Sequence, residues 1–202
     1  LINKRFGNAS MTLFFTGAMN FDEGDFKKIG KEYHDKTNKI SNNSDRCTDK
    51  LPMNFESLGF IKLILPNSKI IHCSRNPQDT IFSIYKNYFP SGAIRFGYNL
   101  VELVEYYNLY FDLMKYWNKL LPNFIFNISY ESLISNTKDQ IENLLNFCNL
   151  DWQDDCLKFY NNKRPIKTAS DLQARSKIFN TSIDSWKNYE KYLNEYFVKL
   201  KN

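Results

Sequence analysis

Two residues eight positions apart suggest chemistry in the run KIIHCSRNPQDTIFSIYKNY at 69–88, namely Arg75 and Ser83. A guanidinium group presents a planar fork of donors, and a hydroxyl group adds one more, so the pair suits a phosphate group. The alternative is that Arg75 merely pairs with Asp79 and that Ser83 is an ordinary surface residue.

The residues around Arg75 predict a strand that ends in a turn into a helix. KIIHC at 69–73 is a short apolar run typical of a strand. Asn76 supplies an N-cap acceptor, Pro77 takes the first helical position, and Asp79 places an acid at the positive end of the helix dipole. Arg75 is therefore expected at the carboxyl end of a central strand, where open α/β sheets bind ligands.

The predicted helix has an apolar face and a polar face. Four residues follow helical spacing and are expected to face the core: Ile81, Ile84, Tyr85 and Tyr88. Ser83 lies on another face with Thr80 and Asn87, from which its hydroxyl can reach the space beside Arg75.

Further predicted helices alternate with short strands along the chain. Helices are expected to start near Asp22 and Phe55 and to cover Pro77 to about Phe89, Leu100 to Leu120, 137–150, 151–161 and 182–200. FIFNIS at 124–129 reads as a second strand, and exposed loops are expected at 36–45 and 161–181. Strands separated by helices predict an α/β fold with a parallel sheet flanked by helices. Two strands are few for such a sheet, so at least one more is expected to be hidden or missing.

Bulk composition favours a globular protein of one domain that works in a reducing compartment. The chain has 202 residues, a net charge of +5 and 43% hydrophobic residues, and no window approaches the ~18 apolar residues of a membrane span. The four cysteines form no C-x-x-C pair, which favours free thiols over a metal site and predicts a cytoplasmic location. The chain opens at Leu1 with neither an initiator Met nor a signal peptide, so we expect it to be a piece of a longer protein.

Basic residues are concentrated towards the end of the chain. Between residues 158 and 191 eight basic residues face three acidic ones, a surplus that favours an anionic ligand, although solvated lysines explain it as well. The basic residues are Lys158, Lys163, Arg164, Lys167, Arg175, Lys177, Lys187 and Lys191.

Four ordered blocks resemble sulfotransferases. HCSRNPQDTIFSIYKNYF is similar to their 3′-phosphate-binding element, and TDKLPMNFESLGFIKLILPNSKIIHCSRNPQDT resembles bacterial sulfotransferases attached to tetratricopeptide repeats, which are relatives of the tyrosylprotein sulfotransferases. NISYESL and RPIKTASDLQARSKIFNTSIDSWKNYEKYL continue the likeness. The resemblance implies a P-loop-like three-layer sulfotransferase fold, with one domain over 1–202, a variable region at 1–45 and a recognisable core at 46–195.

This resemblance implies a nucleotide donor and places residues around it. The donor would be 3′-phosphoadenosine-5′-phosphosulfate (PAPS), the product adenosine 3′,5′-bisphosphate (PAP), and no metal would take part. Arg75 and Ser83 would hold the 3′-phosphate, and Tyr130 would border the adenine unless it is a core tyrosine at a strand end. Arg175 and Lys177 would lie in the basic loop that closes over the nucleotide, although the family usually has a proline in place of Lys177.

The same resemblance implies two catalytic residues. Lys50, in TDKLPMN, takes the place of the catalytic lysine of the tyrosylprotein enzymes, and Ser170 matches a serine that contacts the phosphosulfate. Sulfuryl transfer builds negative charge on the leaving phosphate and the transferring oxygens, so a cation there favours the transition state. The alternative is that Lys50 is a surface lysine.

One half of the family's nucleotide site has no counterpart in the sequence. The family binds the 5′-phosphosulfate with a loop of the Pro-Arg-Ser-Gly-Thr-Thr kind at a helix N-terminus. FFTGAMNF lacks its basic and hydroxyl residues. Glu23 is a weak candidate for the catalytic base, and His34 and His72 are poor ones. We therefore expect the loop and the first strand to lie upstream of Leu1, and the chain alone to be inactive.

Two functions from different classes remain open on the sequence. One is a sulfotransferase domain that acts on a hydroxyl or amine of a small-molecule, carbohydrate or peptide acceptor, with an upstream segment or repeats attached and no nucleic acid or membrane span. The other is a non-catalytic module that binds a nucleotide phosphate or nucleic acid through its basic loop and aromatic residues. The aromatic residues mostly follow helical core spacing, which favours the enzyme.

Overall fold

A computed structural model of the chain describes residues 20–89, 94–161 and 181–201. These residues form seven α-helices and two β-strands: α1 (Glu23–Ile40), α2 (Leu58–Ile64), β1 (Ile70–Ser74), α3 (Pro77–Tyr85), α4 (Leu100–Leu120), β2 (Ile125–Ser129), α5 (Tyr130–Ser135), α6 (Thr137–Cys148) and α7 (Glu190–Phe197). They also form four 3₁₀ helices: Pro52–Ser57, Arg95–Tyr98, Asp154–Asn161 and Ser185–Tyr189. In this part of the chain, no helix is both long enough and apolar enough to cross a bilayer.

The chain divides into two compact units, and the first contains α1, α2 and nearly all of α4. It comprises Leu1–Ser68, Val101–Pro122 and Lys201–Asn202. Helices α1 and α2 approach so closely that a Cβ atom added at Gly30 would overlap the carbonyl oxygen of Ile64. Trp117 of α4 donates its indole N–H to the Phe55 carbonyl at 2.8 Å, which ties α4 to the turn before α2.

Helix α1 is longer than its sequence predicted. It runs through residues 36–40, which were expected to begin an exposed loop, and that expectation was wrong. A capping box between Asp22 and Asp25 starts the helix, and the ion pair between Lys31 and Asp35 at 2.6 Å supports its exposed side. These local interactions extend a polar sequence as a helix, and the turn comes only at Ser41.

The second unit contains both strands. It comprises Lys69–Leu100 and Asn123–Leu200. Strands β1 and β2 pair in parallel, from Ile70 opposite Ile125 to Ser74 opposite Ser129, which confirms the predicted α/β architecture with a parallel sheet. The most buried apolar side chains of this unit come from helices, strands and the turns between them: Ile81, Phe82, Phe96, Phe124, Ile125, Ile128, Leu193 and Phe197.

Helix α3 starts as predicted but ends a turn early. It begins at Pro77 with Asn76 as its N-cap, and it stops at Tyr85 instead of near Phe89. The expectation that Tyr85 and Tyr88 face the core was therefore wrong, because Tyr88, beyond the helix end, is 80% exposed and Tyr85 is 42% exposed. Phe82 is buried in their place, and the centre of its ring lies 4.9 Å from the centre of the Tyr189 ring.

Three other elements differ from expectation. Residues 154–161 form a 3₁₀ helix with a kink at Lys158 instead of the predicted α-helix, and the last predicted helix is divided into a 3₁₀ turn and α7. The sequence also did not indicate α5, which follows β2 directly. Its first turn forms because the Ser129 hydroxyl accepts the Ser132 N–H at 3.0 Å.

Candidate nucleotide-phosphate site

The pairing of the two strands brings Arg75 and Tyr130 together. Ser74 ends β1 and Ser129 ends β2, and these two residues are paired in a parallel register. The next residue of each strand therefore leaves the same edge of the sheet. The guanidinium carbon of Arg75 lies 5.4 Å from the centre of the Tyr130 ring, a cation–π distance that orients the cation.

The turn after Arg75 is fixed by two hydrogen bonds of Asn76. Its side-chain oxygen accepts the Asp79 N–H at 2.9 Å, which caps α3. Its own N–H donates at 2.8 Å to a carboxylate oxygen of Glu131, which lies in α5 next to Tyr130. The two strand ends are thus joined to each other, which fixes the backbone positions of Arg75 and Tyr130.

Arg75 is half-buried, and one of its donors has no acceptor in the described part of the chain. Its Nη2 donates to the carbonyl oxygen of Ser182 and lies 3.8 Å from a carboxylate oxygen of Asp79. Its Nε is shielded from solvent and has no hydrogen-bond partner among the described residues. A buried donor left unmet costs about 1–3 kcal/mol, so an acceptor that reached this atom would be bound favourably.

The Asp79 side chain connects α3 to a distant part of the chain, a role that the sequence did not indicate. It is fully buried, and it accepts the N–H of Asp184 at 2.7 Å, the hydroxyl of Ser185 at 3.0 Å and the N–H of Trp186 at 3.3 Å. Asp184 has a φ of 57°, a left-handed turn of the kind that directs neighbouring N–H groups towards one anion. An internal carboxylate thus ties residues 184–186 to α3.

Comparison with models of known protein families identifies one family. The model of the sulfotransferase family matches residues 18–154, which is more than half of the chain. The chain belongs to the sulfotransferase family. This finding confirms the resemblance carried by the sequence blocks around Arg75.

A curated relative of this sulfotransferase chain is much longer. It is an uncharacterized protein of Aquifex aeolicus (strain VF5), 38% identical over 177 residues, which are 87% of this chain and 23% of the relative. The chain therefore spans about a quarter of the length of the relative that it matches.

The second unit also contains Ser83, the other residue predicted to bind the 3′-phosphate. Ser83 is partly buried in the second turn of α3, and its backbone carbonyl accepts the Asn87 amide at 2.6 Å. Its hydroxyl role stays a prediction. Ser170, Arg175 and Lys177 lie outside the described residues.

Lys50, the predicted catalytic lysine, belongs to the first unit of the sulfotransferase chain. It is exposed and lies just before the 3₁₀ helix Pro52–Ser57. The neighbouring Asp49 accepts the Tyr33 hydroxyl at 2.6 Å. Burial, with the Asp49 carboxylate as the next cause, raises the pKa of Tyr33 to about 12, so this hydroxyl stays protonated and keeps the segment before Lys50 attached to α1.

The weaker candidates for a catalytic base have other partners. Glu23 pairs with Lys27 at 2.7 Å, and the hydrogen bond and charge of Lys27 lower the pKa of Glu23. His72 Nδ1 lies 2.8 Å from the side-chain oxygen of Asn127 across the sheet, and burial lowers the pKa of His72. These contacts favour structural roles for both side chains. In the described ranges, no group of three or more His, Cys, Asp or Glu side chains could hold a metal ion.

Proposed function

We propose that the second unit holds the nucleotide of PAPS, with Arg75 and Ser83 on its 3′-phosphate and Tyr130 beside its adenine. The observation that carries this proposal is the Arg75 guanidinium at the carboxyl edge of the parallel sheet, oriented by a ring and a carbonyl, with a buried Nε that has no acceptor among the described residues. Membership of the sulfotransferase family supplies the class of ligand.

The charge around Arg75 suits a phosphate dianion. The carboxylate of Asp79 is already engaged by three hydrogen bonds from residues 184–186. At 3.8 Å it is too far from Nη2 for a direct hydrogen bond. The positive charge of Arg75 is therefore only partly compensated, and a charge-assisted bond to phosphate is stronger than its present bond to a neutral carbonyl.

In the complete protein, the proposed reaction transfers a sulfuryl group to a hydroxyl or amine acceptor. The bond from sulfur to the leaving 5′-phosphate oxygen breaks while the acceptor atom bonds to sulfur, and the acceptor proton passes to a base. Lys50 and Ser170 would stabilise the charge that develops on the phosphate and the transferring oxygens. The acceptor would be a small molecule, a carbohydrate or a peptide.

We expect the 202-residue chain by itself to bind the bisphosphate weakly and to transfer little or no sulfate. Its seven glycines include none in a Gly-Ser/Thr-rich loop with basic residues of the kind that holds a 5′-phosphosulfate. The 3′-phosphate subsite around Arg75 does not depend on that loop, so it can be tested separately.

The test is a calorimetric titration of adenosine 3′,5′-bisphosphate into the parent chain, Arg75→Ala and Arg95→Ala. Arg95 is a matched control, because it is an exposed arginine of the same unit, in the 3₁₀ helix Arg95–Tyr98. Arg75→Ala is expected to weaken binding by about tenfold or more, and Arg95→Ala to leave it near the parent value. Equal affinities for Arg75→Ala and the parent would refute the proposal.

Lys50 is tested in the complete protein with a different readout. Lys50→Ala is expected to lower kcat by about a hundredfold or more while the affinity for the bisphosphate stays the same, because the charge that it meets develops only in the transition state. The exposed Lys28 of α1 provides the control as Lys28→Ala. Unchanged kcat in Lys50→Ala would remove the catalytic role.

A further inference from the structure

The buried carboxylate of Asp79 is not explained by the start of the helix alone. An acid in the first turn of a helix interacts favourably with the helix dipole while exposed to solvent, whereas Asp79 is completely buried. Its three donors belong to residues 184–186, about a hundred positions further along the chain. A buried charge is retained without a large penalty only when its hydrogen bonds are satisfied.

The contacts of Asp79 converge on Arg75 by two routes. One is direct, since a carboxylate oxygen of Asp79 lies 3.8 Å from Nη2 of Arg75. The other runs through the chain, because Asp79 holds the N–H of Asp184, and Ser182, two residues earlier, accepts a hydrogen bond from the same Nη2. Both routes engage one nitrogen of the guanidinium and leave Nε unmet among the described residues.

We propose that Asp79 is a positioning residue for Arg75: it holds residues 182–186 against the strand end and so fixes the orientation in which the guanidinium binds a phosphate group. This inference rests on the proposed function. Asp79 itself does not touch the nucleotide. Without its carboxylate, the Ser182 carbonyl and the guanidinium lose their common anchor, and Arg75 samples orientations that do not fit a phosphate.

The experiment compares two nucleotides that differ by the 3′-phosphate. The 202-residue chain is titrated with adenosine 3′,5′-bisphosphate and with adenosine 5′-monophosphate, and the ratio of the two Kd values measures the preference for the 3′-phosphate. The parent is expected to prefer the bisphosphate by about tenfold or more. Asp79→Asn, which keeps the shape and removes the charge, is expected to reduce that preference by about fivefold or more.

Asp139→Asn is the matched control. Asp139 also lies in the first turn of a helix of the second unit, three residues after an asparagine, but it is exposed. The same substitution there is expected to keep the parent's preference. Where Asp79→Asn folds poorly, Ser185→Ala removes one hydrogen bond to the carboxylate and keeps its charge, and it is expected to reduce the preference about twofold.

A double mutant separates positioning from general loss of structure. If Asp79 acts through Arg75, adding Asp79→Asn to Arg75→Ala changes the nucleotide preference by less than about twofold. A further loss in that background, or an equal loss of both nucleotides in Asp79→Asn alone, would contradict the inference. Without ligand, the NMR signal of the Arg75 Nε–H should move in Asp79→Asn and stay in place in Asp139→Asn.

The two proposals fail in different ways. A parent chain that binds both nucleotides equally would overturn the proposed function and this inference together. A parent that prefers the bisphosphate, with an Asp79→Asn variant that keeps the full preference, would overturn the role of Asp79 and leave the phosphate site of Arg75 intact.

Discussion

Two helices of the second unit begin with the same Asn-x-x-Asp pattern, and the structure uses their acids differently. Asn76-Pro-Gln-Asp79 starts α3, and Asn136-Thr-Lys-Asp139 starts α6. Asp79 is fully buried and accepts hydrogen bonds from residues 184–186. Asp139 is exposed and accepts a hydrogen bond from the side chain of its neighbour Asn136 at 2.8 Å.

The difference shows that a local pattern places a helix but does not reveal what the acid does. Both aspartates suit the positive end of a helix dipole. Of these two helices, α3 is the one that starts at the end of a strand. Residues 184–186, about a hundred positions later, pack against it, so its acid links distant segments. Arg75 lies at that strand end, which is why we place the phosphate site at α3 and not at α6.

The largest expected difference is in stability, when each of the two aspartates is replaced separately by alanine. Asp79→Ala leaves three donors without their acceptor and removes the carboxylate that lies 3.8 Å from the Arg75 cation, so it should lower the free energy of unfolding by about 3 kcal/mol or more. Asp139→Ala, at an exposed position, should cost about 0.5 kcal/mol. Urea denaturation of both variants measures the difference, and equal losses would show that the contrast between the two helix starts is false.

Replacing the asparagines before α3 and α6 should also destabilise the protein more at α3 than at α6, by a smaller amount than replacing the aspartates. The Asn76 side chain caps α3 by accepting the Asp79 N–H, so Asn76→Ala should cost about 1 kcal/mol of stability. The Asn136 side chain makes no such cap, and Asn136→Ala should lower the free energy of unfolding by only about 0.3 kcal/mol. Thermal unfolding monitored by circular dichroism is sufficient to compare them. A larger loss for Asn136→Ala would contradict this assignment of the caps.

The smallest effect concerns pH, and it tests the strand pairing that brings Arg75 beside Tyr130. Burial lowers the folded-state pKa of His72 below its usual 6.5, so the folded protein binds a proton at this residue less readily than the unfolded chain. The stability that His72 contributes is therefore complete above its unfolded pKa and is lost as pH falls through the folded pKa.

This linkage predicts a difference between the parent and His72→Gln. Between about pH 7.5 and about pH 5, the parent should lose more free energy of unfolding than the variant, whose side chain does not titrate. Urea denaturation at the two pH values provides the measurement. An equal loss in both proteins would mean that His72 is not held neutral in the sheet.

Local signals predicted much of the fold. Helix α4 has the predicted bounds, since its apolar residues keep a helical period from Leu100 to Leu120. The start of α3 was predicted from Asn76 and Pro77, because N-caps and prolines act within one turn of the helix that they start. The early end of α3 and the presence of α5 were missed, since they depend on packing and on the hydroxyl of Ser129 after β2.

The sequence suggested only those residues of the candidate site that lie in short, recognisable segments. Arg75 and Ser83 lie within one strand–turn–helix segment, and Tyr130 follows the strand paired with it, so a family resemblance was enough to suggest all three. The bonds from Asp79 to residues 184–186 and from Asn76 to Glu131 join distant parts of the chain. No periodicity or spacing signals such contacts, because they arise only when the sheet has formed.

The decisive measurement for the phosphate site at Arg75 and Ser83 is a crystal structure of the chain with adenosine 3′,5′-bisphosphate bound. We expect 3′-phosphate oxygens within about 3 Å of the Arg75 guanidinium and of the Ser83 hydroxyl, with the Asp79 carboxylate still bonded to residues 184–186. A nucleotide bound elsewhere, or a 3′-phosphate that contacts neither Arg75 nor Ser83, would contradict this expectation.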